Sequence, residues 1–561
     1  MNPNKTKTTM SMVQLYLSLL SQGIEHVFSY MSVALMRGNI IAWLLVITAS
    51  VSMGFQLNLN GIIGWDDDIQ YFISRAAIGE YGLSDKTLGQ DHNGYYAVLW
   101  ESILGLLTEY IFPSLRDPFL VRHAFTFALF PLTLVLTYTL LLHCKVGKAN
   151  AFLCVSCLFG MIRFGGHALF NVKDAPASCV FLVSTLALWL LFCSILKSGT
   201  TLLKMSMLGF MAALPFLVRV PLLLHIALLL SAISISLFHQ KMNMKNRFMF
   251  FVTPLLSCSL TLVAFYPKFW TLDTAQLAKP FNIFNDFAAV GIVRAWGTIF
   301  ETANLPAWYS LAWFPTIMNP IAFFVCCVGL FSLLIKSKTL PKSFSVSIGS
   351  LQINLSLIQW LWIVVSLSFA AVMIMNPSIY DEERQILFLY PPLVLLCVLG
   401  FHNWHASVQI FLGIAVLIFS SFSYTSWGRY SYVYKSPLVI NRSSNAFLGD
   451  YWGTCFAKAV TVLPDVLPEN VKTVHSSLNH VSILQARRLT NSVLYANVSF
   501  PTYEWVTQPV PEKYAHIEFN RFKNVMERFN DSRHPTLLWS DTLPPGETAC
   551  AIFLYPPIRQ E

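Results

Sequence analysis

The chain has 561 residues, of which 55% are hydrophobic, 14% aromatic and 12% charged, and its mean hydropathy is +0.57. A soluble protein of this length could not bury so much apolar surface, so the composition excludes a soluble enzyme and indicates a polytopic membrane protein. The formal net charge of +9 comes largely from short loops between apolar runs, which is typical of cytoplasmic loops and gives little support to a nucleic-acid partner.

Apolar runs long enough to cross a bilayer recur along most of the chain. A membrane helix needs about 20 apolar residues, because its backbone polar groups must be paired within the segment. By this criterion we predict about eleven spans. They are 39–58, 119–142, 149–163, 177–196, 203–218, 220–238, 247–266, 317–335, 354–375, 386–401 and 407–424.

Charge in the connecting loops predicts the orientation of these spans. Lysine and arginine concentrate in alternate loops, at Lys145 and Lys148, at Lys197 and Lys204, and within 241–247 and 336–342. The positive-inside rule then places the N-terminus in the cytoplasm and the long loops outside. An odd number of spans places the C-terminal part outside as well.

The composition changes after residue 428, which divides the chain into two predicted domains. We expect a transmembrane domain over 1–428, with its first outside loop at 59–118, and a small extracytoplasmic α+β domain over 429–561. Within the second, the patterns predict strands at 471–477, 492–500 and 549–556 and helices at 450–463, 479–489 and 518–530. Its two cysteines, Cys455 and Cys550, could form a disulfide if this part is extracytoplasmic.

The first outside loop carries three consecutive acids, Asp66, Asp67 and Asp68, in "GWDDDIQYF", just before a predicted helix at 67–79. One interpretation is a solvated loop with a helix cap at Asp66 or Asp67. The other is a general base, because a carboxylate held among aromatic residues at a membrane mouth is partly desolvated. His92, farther along the same loop, is interpreted as a hydrogen-bonding loop residue.

A second outside loop, 164–176, is dense in ionisable groups for its length. Arg163 and His167 precede "NVKDAP", which contains Lys173 and Asp174. An Asp followed closely by Pro is a helix-start signal, and this explains Asp174 without any chemistry. Ionisable groups at a membrane mouth are nevertheless often functional or paired.

Two arginines lie next to apolar runs. Arg384 stands in "YDEERQILFLYPP" at the head of a late span, and Arg is a bidentate phosphate ligand. A local salt bridge with snorkelling into the headgroups explains it equally well. Arg219, in "FLVRVPLL", either reaches the headgroups or lines a wet, paired site, since an unpaired Arg there is costly.

These motifs, in this order and on this side of the membrane, resemble the GT-C integral-membrane glycosyltransferases. The resemblance is to the family 39-like group, which includes the protein O-mannosyltransferases and the lipid A aminoarabinose transferase. It covers most of the chain, through Asp67-Asp68 with Tyr71, "GHALFNVKDAP", "NLPAWY", "YDEERQILFLYPP" and "GDYWGTCFAKAV". The chain departs from the family pattern at Gln385, where His is frequent, and at Glu382-Glu383, where Gly often precedes the Arg.

The resemblance implies a function and a set of roles. It implies inverting transfer of a sugar from a polyprenyl-phosphate donor to an acceptor hydroxyl on a lipid, glycan or protein, in a bacterial inner membrane with the C-terminal domain in the periplasm. Asp67 would be the base and Asp68 its neighbour, with Asp66 an extra acid. Arg384 would bind donor phosphate, helped by Arg219 or Lys173, and Asp174 resembles a second-loop acid.

Two other classes of function stay open at this stage. One is a transporter or flippase for a lipid-linked or anionic substrate, in which intramembrane Arg and outside acids line a pathway. The other is a membrane scaffold whose C-terminal domain binds a partner. A metal is also open, since adjacent acids could hold Mg²⁺ or Mn²⁺. ATP-driven and hydrolytic chemistry lose support because the sequence lacks P-loop, HExxH and GxSxG motifs.

Overall fold

The computed structural model describes most of the membrane part and four strands near the C-terminus. The described residues are 67–80, 98–114, 117–198, 201–219, 222–237, 244–266, 269–270, 292–335, 344–348, 351–439, 447–471, 474–476, 514–519, 535–544 and 547–556. Several predictions therefore lie outside them, namely the span 39–58, Asp66, His92, the strand 492–500 and the helix 479–489.

Helices dominate the described residues. Helices α1 to α15 span Asp67–Glu80, Val98–Leu106, Pro118–His143, Lys148–Phe159, Ile162–Ala168, Asp174–Ser198, Leu202–Val218, Leu224–Leu237, Met244–Phe265, Tyr309–Ala312, Pro320–Ile335, Leu357–Met375, Tyr390–Val398, Ala406–Trp427 and Phe456–Val466. A π-helical turn, Leu107–Ile111, continues α2. Short 3₁₀ segments, Arg384–Leu389 and Leu399–Phe401, flank α13, and a third, Gly428–Val433, follows α14.

Six segments of the described chain are long and apolar enough to cross a membrane, so the chain is an integral membrane protein. They are Pro118–His143, Asp174–Ile195, Met244–Phe265, Leu357–Met375, Arg384–Phe401 and Ala406–Val433. Shorter apolar helices, α7 and α11, occupy the predicted spans 203–218 and 317–335. The count of about eleven spans stays a prediction.

Local signals in the sequence explain where these helices begin. Asp117 caps α3, accepting from the backbone N–H groups of Phe119 and Leu120, and Pro118 occupies the first helical position. Ser356 and Gln359 form a capping box at the start of α12. At the other end of α12, Asn376 adopts a left-handed conformation and stops the helix.

The predicted span 149–163 is bent rather than one straight helix. The chain bends by 66° between α4 and α5, next to Gly160. The segment before α11 pairs backbone groups at the bend, because Asn319 N donates to Gly160 O at 2.9 Å and Arg163 N donates to Ile317 O at 3.2 Å. A break inside a membrane protein is tolerated where neighbouring segments satisfy it in this way.

The predicted outside loop 164–176 is also corrected. Its residues form most of α5 and the start of α6, and almost all of them are buried. The physical reason is the apolar content of the segment, since Phe164, Leu169, Phe170 and Val172 all join the main hydrophobic core. Its ionisable side chains are therefore enclosed by protein rather than held in an open loop.

The strands form two hairpins and one sheet. The hairpins pair β1 (Ile292–Ala295) with β2 (Thr298–Glu301) and β3 (Phe344–Ile348) with β4 (Leu351–Leu355). The sheet has the order β5-β6-β8-β7, with β5 parallel to β6 and the other pairs antiparallel. Its strands are Val474–Ser476, Tyr514–Phe519, Thr536–Leu543 and Glu547–Tyr555, numbered β5 to β8.

Covalent and polar contacts join this sheet to the membrane part. Cys455, before α15, forms a disulfide with Cys550 of β8. Asp541 of β7 accepts from Tyr430 Oη at 2.6 Å and binds Lys458 Nζ at 2.7 Å. The sheet therefore lies against the end of α14, while a domain boundary at residue 428 stays a prediction.

Candidate active site

Helix α1 places one carboxylate of the acidic triplet inside the protein. Asp67, Gln70 and Ser74 share one face of α1 at helical spacing, and all three are buried. Asp67 is only 1% exposed, and its Oδ1 lies 3.0 Å from Nε2 of His123 on α3. Asp66 lies outside the described residues, and so does the side chain of Asp68.

A second buried contact fixes α1 against its two neighbours. Ser74 Oγ donates to Glu101 Oε2 at 2.6 Å, and Arg122 Nη2 binds the same oxygen at 2.8 Å. Arg122 also donates to Ser74 Oγ. Removing one partner of a buried ion pair costs about 3–5 kcal/mol, so this triad holds α1, α2 and α3 together.

Gln70 joins this face of α1 to the lysine of "NVKDAP". With its amide oriented to suit its partners, Gln70 donates to Glu101 Oε1 at 2.8 Å and accepts from Lys173 Nζ. Lys173 is only partly buried. Gln70 lies three residues from Asp67 on α1, so Lys173 contacts this helix close to Asp67. The sequence motifs contain both residues but did not predict that they lie close together.

Asp174 and Arg219, which are far apart in sequence, form an ion pair. Asp174 begins α6, as the helix-start interpretation predicts. Its Oδ2 accepts from Asn171 Nδ2 at 2.9 Å, and the backbone N–H groups of Lys173 and Asp174 donate to Asn171 Oδ1. The Arg219 side chain is 19% exposed, so a partly accessible cation lies beside a buried acid.

His167 extends this network toward the C-terminal part. Its Nδ1 lies 3.2 Å from Asn171 Nδ2, and its Nε2 lies 3.4 Å from Tyr451 Oη. Asp450, next to Tyr451, accepts from Tyr432 Oη and from Cys455 N, and burial raises the pKa of its carboxyl. The segment "GDYWGTC" is therefore folded onto the membrane core beside His167.

Arg163 is bound by acids that follow α12. Its Nη1 lies 2.5 Å from Glu382 Oε2 and from Glu383 Oε2, and its Nε donates to Tyr434 O at 2.6 Å. Burial raises the pKa of Glu382 and raises that of Glu383 to about 8, while the Arg163 charge opposes both shifts. These contacts pair Arg163 with the protein's own groups, and a part for this arginine in substrate binding stays a prediction.

Arg384 also has protein partners. Its Nη2 lies 3.0 Å from Asp381 Oδ2, and its guanidinium lies over the rings of Tyr380 and Trp452 at 4.9 and 5.2 Å. Asp381 and Glu382 have positive φ angles of 55° and 65°, which are costly for side chains of this kind. Backbone strain of this sort is often found at functional sites.

Sequence reasoning missed Glu101, Arg122, His123 and Asp450. Three of them carried a usable signal, since Glu101 lies in "LWESILGLL" and Arg122-His123 lie in "FLVRHAFTF", both otherwise apolar. An ionisable residue inside an apolar run is a candidate for a paired or functional role. Among the described residues, no three His, Cys, Asp or Glu side chains are grouped to hold a metal ion. The Mg²⁺ or Mn²⁺ site stays a prediction.

Comparisons with known proteins give likenesses of structure. No family model and no curated protein matches the chain. ArnT from Cupriavidus metallidurans in the apo state has a TM-score of 0.47 at 11% identity, covering 91% of this chain and 97% of that chain. The same protein bound to undecaprenyl phosphate has a TM-score of 0.43 at 11% identity over the same shares.

An Archaeoglobus fulgidus oligosaccharyltransferase, in complex with Zn and sulfate, has a TM-score of 0.41 at 11% identity, covering 83% of this chain and 59% of that chain. These three TM-scores are below 0.5, so the likeness carries no conclusion about function.

Proposed function

We propose that this protein is a GT-C-type glycosyltransferase that moves a sugar from polyprenyl phosphate to an acceptor hydroxyl with inversion. One observation carries the proposal: Gln70, on the Asp67 face of α1, contacts Lys173, and the next residue, Asp174, binds Arg219. These residues come from three separate parts of the sequence, yet they meet through Gln70 and adjacent positions. An acid beside cations is the arrangement that base-assisted departure of a phosphate requires.

In the proposed step, Asp67 accepts the proton of the acceptor hydroxyl. The acceptor oxygen forms a bond to the anomeric carbon, and the bond from that carbon to the phosphate oxygen breaks. The electron pair leaves with the polyprenyl phosphate. Base catalysis of this kind contributes about 10²–10⁴-fold to the rate, and positioning of the two substrates contributes more.

The leaving phosphate is negatively charged, and three cationic side chains are candidates to stabilise it. Lys173 and Arg219 lie on the Asp67 side of the network, where Arg219 is partly exposed and Asp174 offsets one charge. Arg384 is held by Asp381 and lies over the ring of Trp452, the neighbour of Tyr451 in sequence. We propose Lys173 and Arg219 as the groups facing the breaking bond and Arg384 as a more distant phosphate ligand. Asp68 and Asp66 stay proposed site residues, and we also propose that His92 of the first outside loop contacts the substrate.

We also propose that the C-terminal sheet faces the periplasm of a bacterial inner membrane, with the N-terminus in the cytoplasm. The disulfide between Cys455 and Cys550 supports this, since disulfides persist in oxidising compartments. The loop after α3 contains Lys145 and Lys148, which supports a cytoplasmic position for that end of the helix. Transfer would then take place on the extracytoplasmic face.

The test is mass spectrometry of envelope glycolipids and glycoproteins from a strain lacking this protein. We expect one sugar to be missing from one acceptor class, and the wild-type chain to restore it. Asp67→Asn should not restore it, because the amide cannot accept the proton. Asp465→Asn is the matched control, since Asp465 is exposed on α15 and should restore the sugar fully.

Immunoblots of the membrane fraction must show equal amounts of the wild-type, Asp67→Asn and Asp465→Asn proteins. An unchanged glycan profile in the deletion strain would remove the proposed activity. Full restoration by Asp67→Asn would remove only the assignment of Asp67 as the base. Asp68 or Asp66 would then be the proposed base.

One structural feature favours a transporter as the second candidate. The bent pair α4–α5 has the geometry of a broken span or a re-entrant loop, and broken helices form the substrate sites of many transporters. In this chain, however, backbone groups of the bend are paired with the segment before α11, and Phe159, Gly160 and Met161 are buried. A transporter would leave the envelope sugars covalently unchanged while altering uptake or flipping, which the same mass spectrometry distinguishes.

A further inference from the structure

His123 contacts the proposed base from a neighbouring helix. Its Nε2 lies 3.0 Å from Asp67 Oδ1, and both side chains are 1% exposed. An ionised carboxylate only accepts hydrogen bonds, so Nε2 carries the hydrogen in this contact when Asp67 is ready to act as a base. Two buried side chains thus meet through one directed hydrogen bond.

The helix contacts themselves do not depend on His123. Its neighbour Arg122 already joins α3 to Ser74 and Glu101. Ser74 lies seven residues from Asp67 on α1, which is about 10 Å along a helix. Arg122 therefore fixes the helices at one point, while His123 acts at a second point, where the reacting carboxylate lies.

We infer that His123 is a positioning residue, which holds the Asp67 carboxylate in the direction from which it removes the acceptor's proton. This inference rests on the proposed function. His123 takes no proton from the acceptor and forms no covalent bond. Its imidazole N–H restricts rotation of the carboxylate, and an error of about 1 Å in the placement of a reacting group can cost about 10²-fold in rate.

The experiment compares two replacements in the purified, full-length protein. His123→Phe keeps a planar ring but removes the N–H, and His123→Gln places an amide N–H near the position of Nε2. The matched control is His143→Phe, at the exposed far end of the same helix, where Nδ1 lies 2.9 Å from Thr139 O. The readouts are kcat, the donor KM and the stabilisation of the protein by polyprenyl phosphate in a thermal melt.

We expect His123→Phe to lower kcat by about 10²-fold while the donor KM and the thermal shift caused by polyprenyl phosphate stay unchanged. His123→Gln should recover most of the lost kcat, and His143→Phe should match the wild type. If His123→Phe does not fold, His123→Gln is compared with His123→Asn, whose amide is one bond too short. Equal kcat values for these two would overturn the inference.

A double variant separates this inference from the proposed function. In an Asp67→Asn background, His123→Phe should cause no further loss, because His123 acts through Asp67. A full additional loss in that background would overturn the positioning role, as would a wild-type kcat in His123→Phe. If Asp67→Asn itself keeps wild-type transfer, the base assignment fails instead, whatever the His123 variants do.

Discussion

At the scale of single residues, the site depends on charges that are buried in groups rather than alone. Arg163 binds Glu382 and Glu383, Arg122 binds Glu101, and Arg219 binds Asp174. A buried charge without a partner is very costly, so each of these groups lies in the interior only because its partner does. Two carboxyls, those of Glu382 and Glu383, share the Arg163 guanidinium, and their titration makes the stability of the protein depend on pH.

Because of Glu383, we predict that the free energy of unfolding falls as the pH rises toward 8. Burial raises its pKa in the folded protein to about 8 from an ordinary value of 4.5. Between these two values the folded state holds a proton that the unfolded state has released, so the free energy of unfolding decreases with rising pH. The slope for one proton is about 1.4 kcal/mol per pH unit.

Unfolding in detergent, followed from about pH 5 to pH 8, tests this window. Glu383→Gln should make the dependence shallower, because the amide carries no titrating proton while Glu382, whose pKa burial also raises, keeps its own. Glu469→Gln, at an exposed position after α15, is the control and should keep the wild-type slope. A slope in Glu383→Gln as steep as that of the wild type would contradict the assignment.

At the scale of elements, some helices approach each other more closely than any side chain would allow. A Cβ at Gly329 of α11 would collide with the backbone oxygen of Cys397, and one at Gly400 would collide with the backbone oxygen of Gly329. Both obstacles are backbone atoms, which cannot rotate away. The two glycines thus set the distance between α11 and the end of the Arg384–Phe401 span.

We predict that Gly329→Ala or Gly400→Ala destabilises the protein by about 1–3 kcal/mol or more, because overpacking forces the helices apart. Thermal unfolding in detergent measures this effect. Gly147→Ala is the matched control, since nothing lies within 4 Å of a Cβ at that position. The close crossing would be disproved by equal unfolding temperatures for Gly329→Ala and Gly147→Ala.

Helix positions were largely predictable from the sequence, whereas the contacts among their polar side chains were not. Hydropathy placed α3, α9 and α12 within a few residues, because each needs only its own apolar content and its caps. The bend at Gly160 was missed because a single Gly in an apolar run does not require a break. Likewise, the sequence named Asp67 but not His123, since their contact depends on how α1 packs against α3.

At the scale of the whole molecule, three remote segments converge on one network. The route runs from Tyr451 through His167 and Asn171 to Asp174, and Gln70 and Lys173 bring α1 to the same place. A deeply buried polar route of this length is expensive to maintain, and it is expected where a membrane protein carries out chemistry. The proposed function therefore places transfer from a lipid phosphate at this network.

The most direct measurement is the product analysis of the purified protein given a polyprenyl-phosphate donor of the sugar that the deletion strain lacks. We predict that each glycosylated acceptor is matched by one released polyprenyl phosphate and that the transferred sugar has the opposite anomeric configuration to the donor. The Asp67→Asn protein should form both products about 10²–10⁴-fold more slowly, which is the part of the rate that base catalysis supplies. Transfer with retained configuration would contradict the proposed inverting transfer, and wild-type product from Asp67→Asn would contradict the assignment of Asp67 as the base.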